Sequence, residues 1–370
     1  MRRDPWFDNA KMALVTLVVL GHSWVLLPQT DFVAQGYDFL YAWHVPAFVL
    51  VTGYLSRSFT WERRRMWQLV RTVAVPYVVF EAAIAAFRIL VGGEQLQDLW
   101  RDPHWPMWYL AALFCWRLLT PVFKPMWGGL VVAVAISIVA GLYAGDTLDV
   151  ARVLGLLPFF VMGLKATPER LERLRAGWVQ VAAVVVLAGI WLLAARTDDW
   201  AATEWLYYRA RYDELDVSDT QAFLTRAGLL VVGTLGAWAF LALVPRVGGW
   251  FTRMGAATLV VYLFHGFFVK GAEYAGFPAW AEGHYGLSIL ATTVGAVGVS
   301  LLLAWHPVSS RLQHLVDPVG FAERRVDHAH ELRAATVEAD VLAEAVQEAV
   351  DEAAGEHAGV DAGGPAAARR

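Results

Sequence analysis

The sequence predicts an all-α integral membrane protein, and its composition, its apolar runs and its distribution of basic residues all support that fold class. Of the 370 residues, 58% are hydrophobic and 17% are charged, whereas a soluble domain typically has about 25% charged residues. Apolar runs of the roughly 17–25 residues needed to cross a bilayer recur along most of the chain. We therefore expect about ten transmembrane helices in one bundle, followed by a cytoplasmic C-terminal tail.

The apolar runs are separated by charged or Pro/Gly-rich segments, and each run is interpreted as one span. The first is expected to be a retained helix and not a signal peptide, because Asp4, Asp8 and Lys11 flank it. The sixth is the least regular, since it is short and contains Pro158. The predicted spans are 12–28, 40–56, 73–91, 106–122, 127–144, 150–164, 177–195, 222–244, 256–272 and 287–305.

Basic residues are distributed unequally between the two sides of this predicted bundle. With a cytoplasmic N-terminus, fifteen Lys and Arg residues fall in the inner segments and four in the outer loops, with Lys270 at a border. The positive-inside rule then favours a multi-pass protein of the cell membrane with both termini in the cytoplasm. Membrane lipid is an expected partner and nucleic acid is not, while a homodimer stays open.

Three segments follow from these patterns: a transmembrane domain over 1–310, a cytoplasmic helical tail over 311–353 and a disordered segment over 354–370. The tail has apolar residues at helical spacing and then becomes rich in Gly, Ala and Pro. The longest outer loop, 196–221, is both acidic and aromatic. It fits either a carbohydrate-facing lid or a solvated loop with interfacial aromatic anchors.

Three histidines and one carboxylate within predicted spans are of particular interest: His22, His44, His265 and Glu81. An ionisable side chain there costs about 2.5–3.5 kcal/mol and usually faces the bundle interior or a water-filled cavity, so each is a candidate functional residue. The alternative is a histidine that only hydrogen-bonds a neighbouring helix. No metal site is expected, because no carboxylate or thiol lies at ligand spacing, and the single Cys115 has no disulfide partner.

Lys11 and His22 are eleven positions apart in the sequence. This separation is about three helical turns plus roughly 20°, so both side chains point into the same side of the bundle, about 16 Å apart in depth. A cation at the cytoplasmic mouth and a titratable group deep inside suit a long anionic molecule whose phosphates bind the cation. Four further phosphate-binding cations are expected across the mouth: Arg63, Arg64, Arg65 and Arg71.

At these residues the sequence resembles the membrane-bound acyltransferase family 3, and in particular its fucose 4-O-acetylase-like branch. The first mark is a basic residue and a histidine separated by ten positions, here "KMALVTLVVLGH". The second is a His-x-Pro-x-Phe stretch before a Ser/Thr-Gly-Tyr/Phe turn, here "HVPAFVLVTGYL". Further agreement follows in order in "VPYVVF", "HWPMWYL", "LLPFFVMGL" and "VVYLFHGF", so the resemblance covers about residues 4 to 310.

The resemblance implies transfer of an acyl group, usually acetyl from cytoplasmic acetyl-CoA, to a hydroxyl of a sugar or glycan on the outer face. Acyl-CoA and the glycan are then substrates, and no cofactor is permanently bound. His22 is expected to be the general base, with Glu81 and His265 as further catalytic residues. Direct transfer is favoured over an acyl-enzyme, and an acyl-histidine stays open. The expected substrate-binding residues are His44, Trp108, Tyr109 and Tyr262.

Two other functions stay open from the residues themselves. In a polytopic transporter, the intramembrane His and Glu side chains would form a proton relay. In a scaffold or sensor protein of a polysaccharide-assembly complex, the same residues would be a vestigial site. The acceptor and the length of the acyl chain also stay open.

Overall fold

The computed structural model describes residues 4–96, 102–145, 147–215 and 217–323, together with 325, 326, 329–331, 333, 336 and 342. Among these residues every regular element is a helix and none is a strand, which confirms the all-α prediction for this part of the chain. The chain divides into two compact units, Met1–Asp317 and Pro318–Arg370. The predicted disordered segment 354–370, and most of the predicted helical tail beyond 326, lie outside the described residues.

The first unit is built from helices of very different lengths. Its α-helices are α1 (Pro5–Trp24), α2 (Asp31–Tyr41), α3 (His44–Leu55), α4 (Arg63–Leu69), α5 (Val75–Leu90), α6 (Trp108–Phe123), α7 (Gly129–Tyr143), α8 (Val150–Gly155), α9 (Leu157–Lys165), α10 (Pro168–Arg173), α11 (Gly177–Ala194), α12 (Thr197–Trp200), α13 (Thr203–Leu206), α14 (Asp219–Leu243), α15 (Trp250–Met254), α16 (Thr258–Tyr274), α17 (Phe277–Gly283), α18 (Tyr285–Ala304) and α19 (His306–Val316). A π-helical turn (Val70–Ala74) joins α4 to α5, and 3₁₀ turns lie at Thr147–Asp149 and Tyr212–Leu215.

Four helical segments of the described chain are long and apolar enough to cross a membrane: the continuous segment Arg63–Leu90 and helices α11, α14 and α18. The segments Thr147–Gly155 and Leu157–Lys165 form a fifth candidate, bent by 52° at the predicted sixth span. Helices also lie at the other predicted positions, although α6 and α7 are shorter. The membrane character is therefore supported, whereas ten spans and the orientation of the termini stay predictions.

The first and second predicted spans differ in outline from the observed helices, and the third belongs to a helical segment that begins earlier, at Arg63. The second is not one helix, because α2 ends at Tyr41 and α3 begins at His44, with Ala42 and Trp43 between them. The first begins earlier, at Pro5, because the Asp4 side chain accepts a hydrogen bond from the Trp6 backbone N–H at 3.0 Å and proline suits the first turn. His22 consequently lies in the last turn of α1 and not near its midpoint.

Helix α1 is fixed in the bundle by polar contacts at its N-terminal end. The Trp6 indole N–H donates to the Leu241 carbonyl at 3.2 Å, from a ring that is almost fully buried. The Asn9 side-chain amide donates to the carbonyls of Pro245 and Val247 at 2.8 and 3.1 Å. These contacts satisfy one carbonyl in the last turn of α14 and two in the segment that follows it, and they fix the start of α1, which carries Lys11.

Helices α3 and α9 cross at very close range. A Cβ atom on Gly53 would lie 2.1 Å from the Phe160 carbonyl oxygen, and one on Gly163 would lie 2.0 Å from the Leu50 carbonyl oxygen. Both neighbours are backbone atoms, which cannot rotate away. Small residues permit such backbone approach between membrane helices, and this crossing holds α3, with His44, firmly against the bundle.

The long loop between α11 and α14 is folded onto the bundle. Arg226 of α14 is 2% exposed, and its guanidinium carbon lies 4.8, 5.6 and 6.0 Å from the ring centroids of Tyr208, Tyr212 and Trp205. A buried cation among aromatic faces is stabilised by their quadrupoles. The aromatic residues of the loop therefore anchor it to α14 through Arg226.

Candidate active site

Two histidines from α1 and α16 meet inside the bundle. The Nδ1 atom of His22 lies 2.9 Å from the Nε2 atom of His265, and the two rings are stacked with centroids 5.1 Å apart. His22 is 8% exposed and His265 is fully buried. The structure therefore brings together two of the three residues predicted to be catalytic, although 242 residues of chain separate them.

A backbone carbonyl determines which histidine nitrogens carry protons. His265 Nδ1 lies 2.6 Å from the Tyr262 carbonyl oxygen, and because a carbonyl only accepts, this nitrogen must donate. In neutral His265, Nε2 is then the acceptor, so His22 Nδ1 donates to it. Neutral His22 is left with an unprotonated Nε2, which makes no hydrogen bond within the described part of the chain. This tautomer has the lone pair that a general base requires.

The segment before α6 packs against this histidine pair. The Trp105 ring lies 4.4 Å from the His22 ring and 6.3 Å from the His265 ring, measured between centroids. The hydroxyl of Tyr262 donates a short hydrogen bond to the carbonyl of Pro106. This segment thus places the Trp105 ring against both imidazoles. Its Pro106 carbonyl also binds the Tyr262 hydroxyl.

The third residue predicted to be catalytic, Glu81, lies elsewhere. Its Oε1 atom accepts from the His104 backbone N–H at 2.6 Å and forms a short hydrogen bond with His104 Nδ1. Glu81 is 1% exposed, and its Oε2 atom has no hydrogen-bond partner among the described residues. The structure joins Glu81 to the segment that carries Trp105, and through it to His22, without direct contact.

His22 opens onto a cavity of about 270 Å³, here called the histidine cavity. All four residues predicted to bind substrate line it: His44, Trp108, Tyr109 and Tyr262. Leu206 and Tyr207 of the long loop also line it, so the loop contributes to the wall of this cavity. Burial raises the pKa of the Tyr207 phenol above its ordinary value, so this group stays a protonated hydroxyl.

His44 is oriented by its own helix turn. Its Nδ1 atom lies 2.7 Å from the Leu40 carbonyl oxygen and donates to it. The opposite nitrogen of neutral His44 is then an acceptor. His44 lines the histidine cavity, so both His22 and His44 contribute side chains to its wall.

A second cavity of about 290 Å³, here called the lysine cavity, lies beyond a shared wall. Phe48, Tyr109 and Tyr262 line both cavities and form that wall. Lys11 and Arg117 line the lysine cavity, and the Lys11 ammonium lies 2.7 Å from an Asp8 carboxylate oxygen. Three aromatic side chains therefore belong to the walls of both the cavity with the cations and the cavity with the imidazoles.

The predicted phosphate-binding arginines do not share the position of Lys11. Arg63, Arg64 and Arg65 of α4 are exposed, and the described lining of the lysine cavity includes none of them. Arg71 lies 3.5 Å from a carboxylate oxygen of Asp317. Their role toward a phosphate-bearing ligand stays a prediction, and only Lys11 of the predicted set lines the lysine cavity.

Several residues that line or support the cavities were missed from the sequence. Arg117 lies in the apolar run of α6 and meets the same criterion that singled out Glu81, so a strict search for charges within spans would have found it. Arg152 lines the histidine cavity, with its guanidinium carbon 4.9 Å from the centre of the Trp108 ring. His104 and Trp105 belong to the "HWPMWYL" stretch of the resemblance, but their contacts with Glu81 and His22 arise only on folding. Within the described residues, no group of three or more His, Cys, Asp or Glu residues is placed to hold a metal ion.

Comparison with known proteins identifies the family to which the chain belongs. The family described as "Acyltransferase domain" matches residues 4–305, which is most of the chain. The nodulation protein NolL of Mesorhizobium japonicum is 26% identical over 290 residues, covering 71% of this chain and 76% of that protein. No solved structure matches the chain. The matched region includes every candidate site residue, and the chain belongs to the membrane-bound acyltransferase family 3.

Proposed function

We propose that this acyltransferase moves an acetyl group from acetyl-CoA to a hydroxyl of a sugar or glycan. The observation that carries the proposal is the unprotonated Nε2 of His22, which the hydrogen bond to His265 and the Tyr262 carbonyl fixes in one tautomer. Transfer to an alcohol needs a base for the hydroxyl proton, and a neutral imidazole is suited to this task. The position of His22 beside a cavity supplies the space for the acceptor.

The proposed reaction is a direct displacement at the thioester. His22 Nε2 takes the proton of the acceptor hydroxyl as its oxygen attacks the thioester carbonyl carbon. The new C–O bond forms, the C–S bond breaks, and the departing CoA thiolate receives the proton from His22. His265 Nε2 accepts from His22 Nδ1 throughout, so it stabilises the imidazolium that forms between the two steps. In this account His265 is a positioning residue, since it acts through His22.

The tetrahedral intermediate carries negative charge on the former carbonyl oxygen. Arg152 lines the histidine cavity and lies over Trp108, which supports a role for its guanidinium beside the oxygen that develops this charge. Fixed positive charge in a site shielded from water is an effective way of stabilising an oxyanion. We assign this role to Arg152.

We place the acetyl-CoA phosphates in the lysine cavity. Lys11 and Arg117 both line it, and paired cations suit the phosphates of a nucleotide. Arg117 makes no ion pair with a described acidic residue. The pantetheine arm would then pass Phe48, Tyr109 and Tyr262, bringing the thioester to His22 on the far side of the wall.

This arrangement gives donor and acceptor separate approaches. Lys11 and His22 are eleven residues apart on α1, a rise of about 16 Å. We infer that the donor enters from the cytoplasm, where the basic segments are expected, and that the acceptor enters from the opposite face. Glu81, in this proposal, is a positioning residue that holds the His104 segment and hence Trp105.

The proposal is tested in sealed proteoliposomes with membrane-impermeant ¹⁴C-acetyl-CoA outside and cell-envelope glycan inside. We expect labelled O-acetyl glycan in the lumen with the wild-type protein. A matched His284→Ala control, in an exposed histidine far along the chain, should behave as wild type. Label that stays wholly outside, or that enters the lumen without attachment to glycan, would contradict the proposed transfer.

A further inference from the structure

A third cavity of about 260 Å³, here called the arginine–aspartate cavity, adjoins the histidine cavity. Trp105, Trp108 and Arg152 line both. The proposed transfer accounts for the histidine cavity and the lysine cavity but gives no task to this one. The other polar side chains of its wall are Arg88, Asp102, His104, Asp149 and Arg209.

The charges of this cavity compensate one another. Arg209 lies 2.7 Å from an Asp102 carboxylate oxygen and 3.7 Å from an Asp149 oxygen. Arg152 lies 3.5 Å from the same Asp149 oxygen. Two arginines thus face two aspartates. A wall of this kind offers many donors and acceptors without an excess of either charge, which suits a neutral polar ligand better than a phosphate.

Arg88 does not disturb this balance. Its guanidinium lies 2.5 Å from a Glu94 carboxylate oxygen, and Lys270 and Tyr274 also bind that carboxylate. Burial favours the neutral form of Glu94, but the hydrogen bonds from Arg88, Tyr274 and Lys270 outweigh it and lower the pKa of Glu94 to about 2. The carboxylate is therefore charged at neutral pH and compensates the guanidinium.

The cavity also has unused hydrogen-bonding capacity. The Oδ1 atom of Asp102 is buried and has no hydrogen-bond partner among the described residues. His104 donates its backbone N–H and its Nδ1 proton to Glu81, which leaves the Nε2 of neutral His104 as an acceptor. Buried acceptors of this kind are satisfied by ligand hydroxyls or by water. His104 is 7% exposed, and its two hydrogen bonds to the Glu81 carboxylate hold it in the wall of the cavity.

Two indole rings complete the wall on the side of the histidine cavity. Trp105 and Trp108 offer flat apolar surfaces beside the charged groups. A sugar ring has the complementary character, since its C–H faces are apolar and its edges carry hydroxyls. Because Trp105 also packs against His22, a ring bound here lies next to the proposed base.

We infer that the arginine–aspartate cavity is the acceptor subsite and that it binds an uncharged sugar ring. The inference rests on the proposed function, for which it supplies the second substrate. The ring lies against Trp105 and Trp108, its hydroxyls bind Asp102, His104 and Arg209, and one hydroxyl reaches the histidine cavity. Asp102 and Arg209 are binding residues in this account and take no part in proton transfer.

Saturation-transfer difference NMR on the purified full-length protein tests the inference without requiring catalysis. The neutral probes are methyl α-D-glucopyranoside, methyl α-D-mannopyranoside and methyl α-L-fucopyranoside, and the charged probe is α-D-glucose 1-phosphate. We expect saturation transfer to at least one neutral probe and weaker transfer to the phosphate. Asp102→Asn should lower the affinity for the neutral probe about tenfold. Asp198→Asn, which changes an exposed residue of the long loop, should leave this affinity unchanged.

Each result decides the inference. No binding of any neutral probe, preferential binding of the phosphate, or equal affinity in wild type and Asp102→Asn would overturn it. Arg209→Gln is the second variant if Asp102→Asn does not accumulate as folded protein, and the same loss is expected. The sugar signal is recorded without acetyl-CoA and needs no turnover, so failure of the proposed transfer in proteoliposomes is distinguishable from failure of this subsite.

Discussion

The Nδ1 atom of His22 lies 2.9 Å from the Nε2 atom of His265, and the His265 ring is in turn held by the carbonyl of Tyr262. This chain of hydrogen bonds runs in one direction, because the carbonyl at its end only accepts. It leaves the lone pair of neutral His22 on Nε2. The nitrogen of His22 that can act as the base is therefore determined by the Tyr262 carbonyl, which belongs to α16 and not to α1.

Replacement of His265 tests this chain of hydrogen bonds. His265→Ala should lower kcat about 100-fold, because His22 loses the acceptor that fixes its tautomer, while the KM for acetyl-CoA stays near wild type. His265→Gln keeps an acceptor and should recover part of the loss. Steady-state kinetics of both variants with acetyl-CoA make the measurement. Equal losses in Ala and Gln variants would argue for a packing role alone.

Arg117 is expected to bind the donor. Arg117→Gln should raise the KM for acetyl-CoA about tenfold with a smaller effect on kcat, because one charge-assisted hydrogen bond to phosphate is lost. Lys11→Gln should behave similarly, since Lys11 lines the same cavity. Arg170→Gln, in an exposed position on α10, is the matched control. A pure kcat loss in Arg117→Gln would contradict the binding role.

The close crossing of α3 and α9 predicts a strong effect of one methyl group. Gly53→Ala and Gly163→Ala should each destabilise the protein by about 1–3 kcal/mol, because the added Cβ meets backbone atoms. Gly189→Ala is the control, since no atom lies within 4 Å of a Cβ added there. Thermal unfolding in detergent compares the three. Unfolding temperatures of the α3 and α9 variants equal to that of Gly189→Ala would show that the crossing relaxes without cost.

The aromatic surroundings of Arg226 are expected to hold the long loop over the histidine cavity. Arg226→Met keeps much of the side-chain volume but loses the cation, and should destabilise the folded state by about 2 kcal/mol. Arg196→Met changes an exposed arginine near the start of the same loop and should have little effect. Limited proteolysis of the loop and thermal unfolding report the difference. Identical cleavage rates in both variants would show that the rings hold the loop without the cation.

The sequence predicts individual helices better than their contacts. The spacing of Lys11 and His22 follows from the geometry of one helix, and both residues line cavities that share a wall. The His22–His265 contact could not be predicted, because it depends on the relative rotation of two helices far apart in the chain. The same is true of Glu81, whose partner His104 belongs to a connecting segment.

Charge alone was a weaker guide to the residues that line the lysine cavity. Arg63, Arg64 and Arg65 form the densest basic run and were expected at the mouth, but they are exposed on α4 and do not line the lysine cavity. Arg117 lies alone in an apolar helix and does line it. An isolated charge within a span has a desolvation cost that a surface cluster avoids, so its position is more informative.

The central claim is that His22 is the base, and single-turnover acetyl transfer by His22→Ala tests it most directly. The measurement follows transfer from bound ¹⁴C-acetyl-CoA to glycan, with acetyl-CoA affinity measured on the same preparation. We expect the rate of transfer to fall about 100-fold or more while acetyl-CoA binds as in wild type. Transfer at a rate near that of wild type, in protein that binds acetyl-CoA normally, would contradict the account.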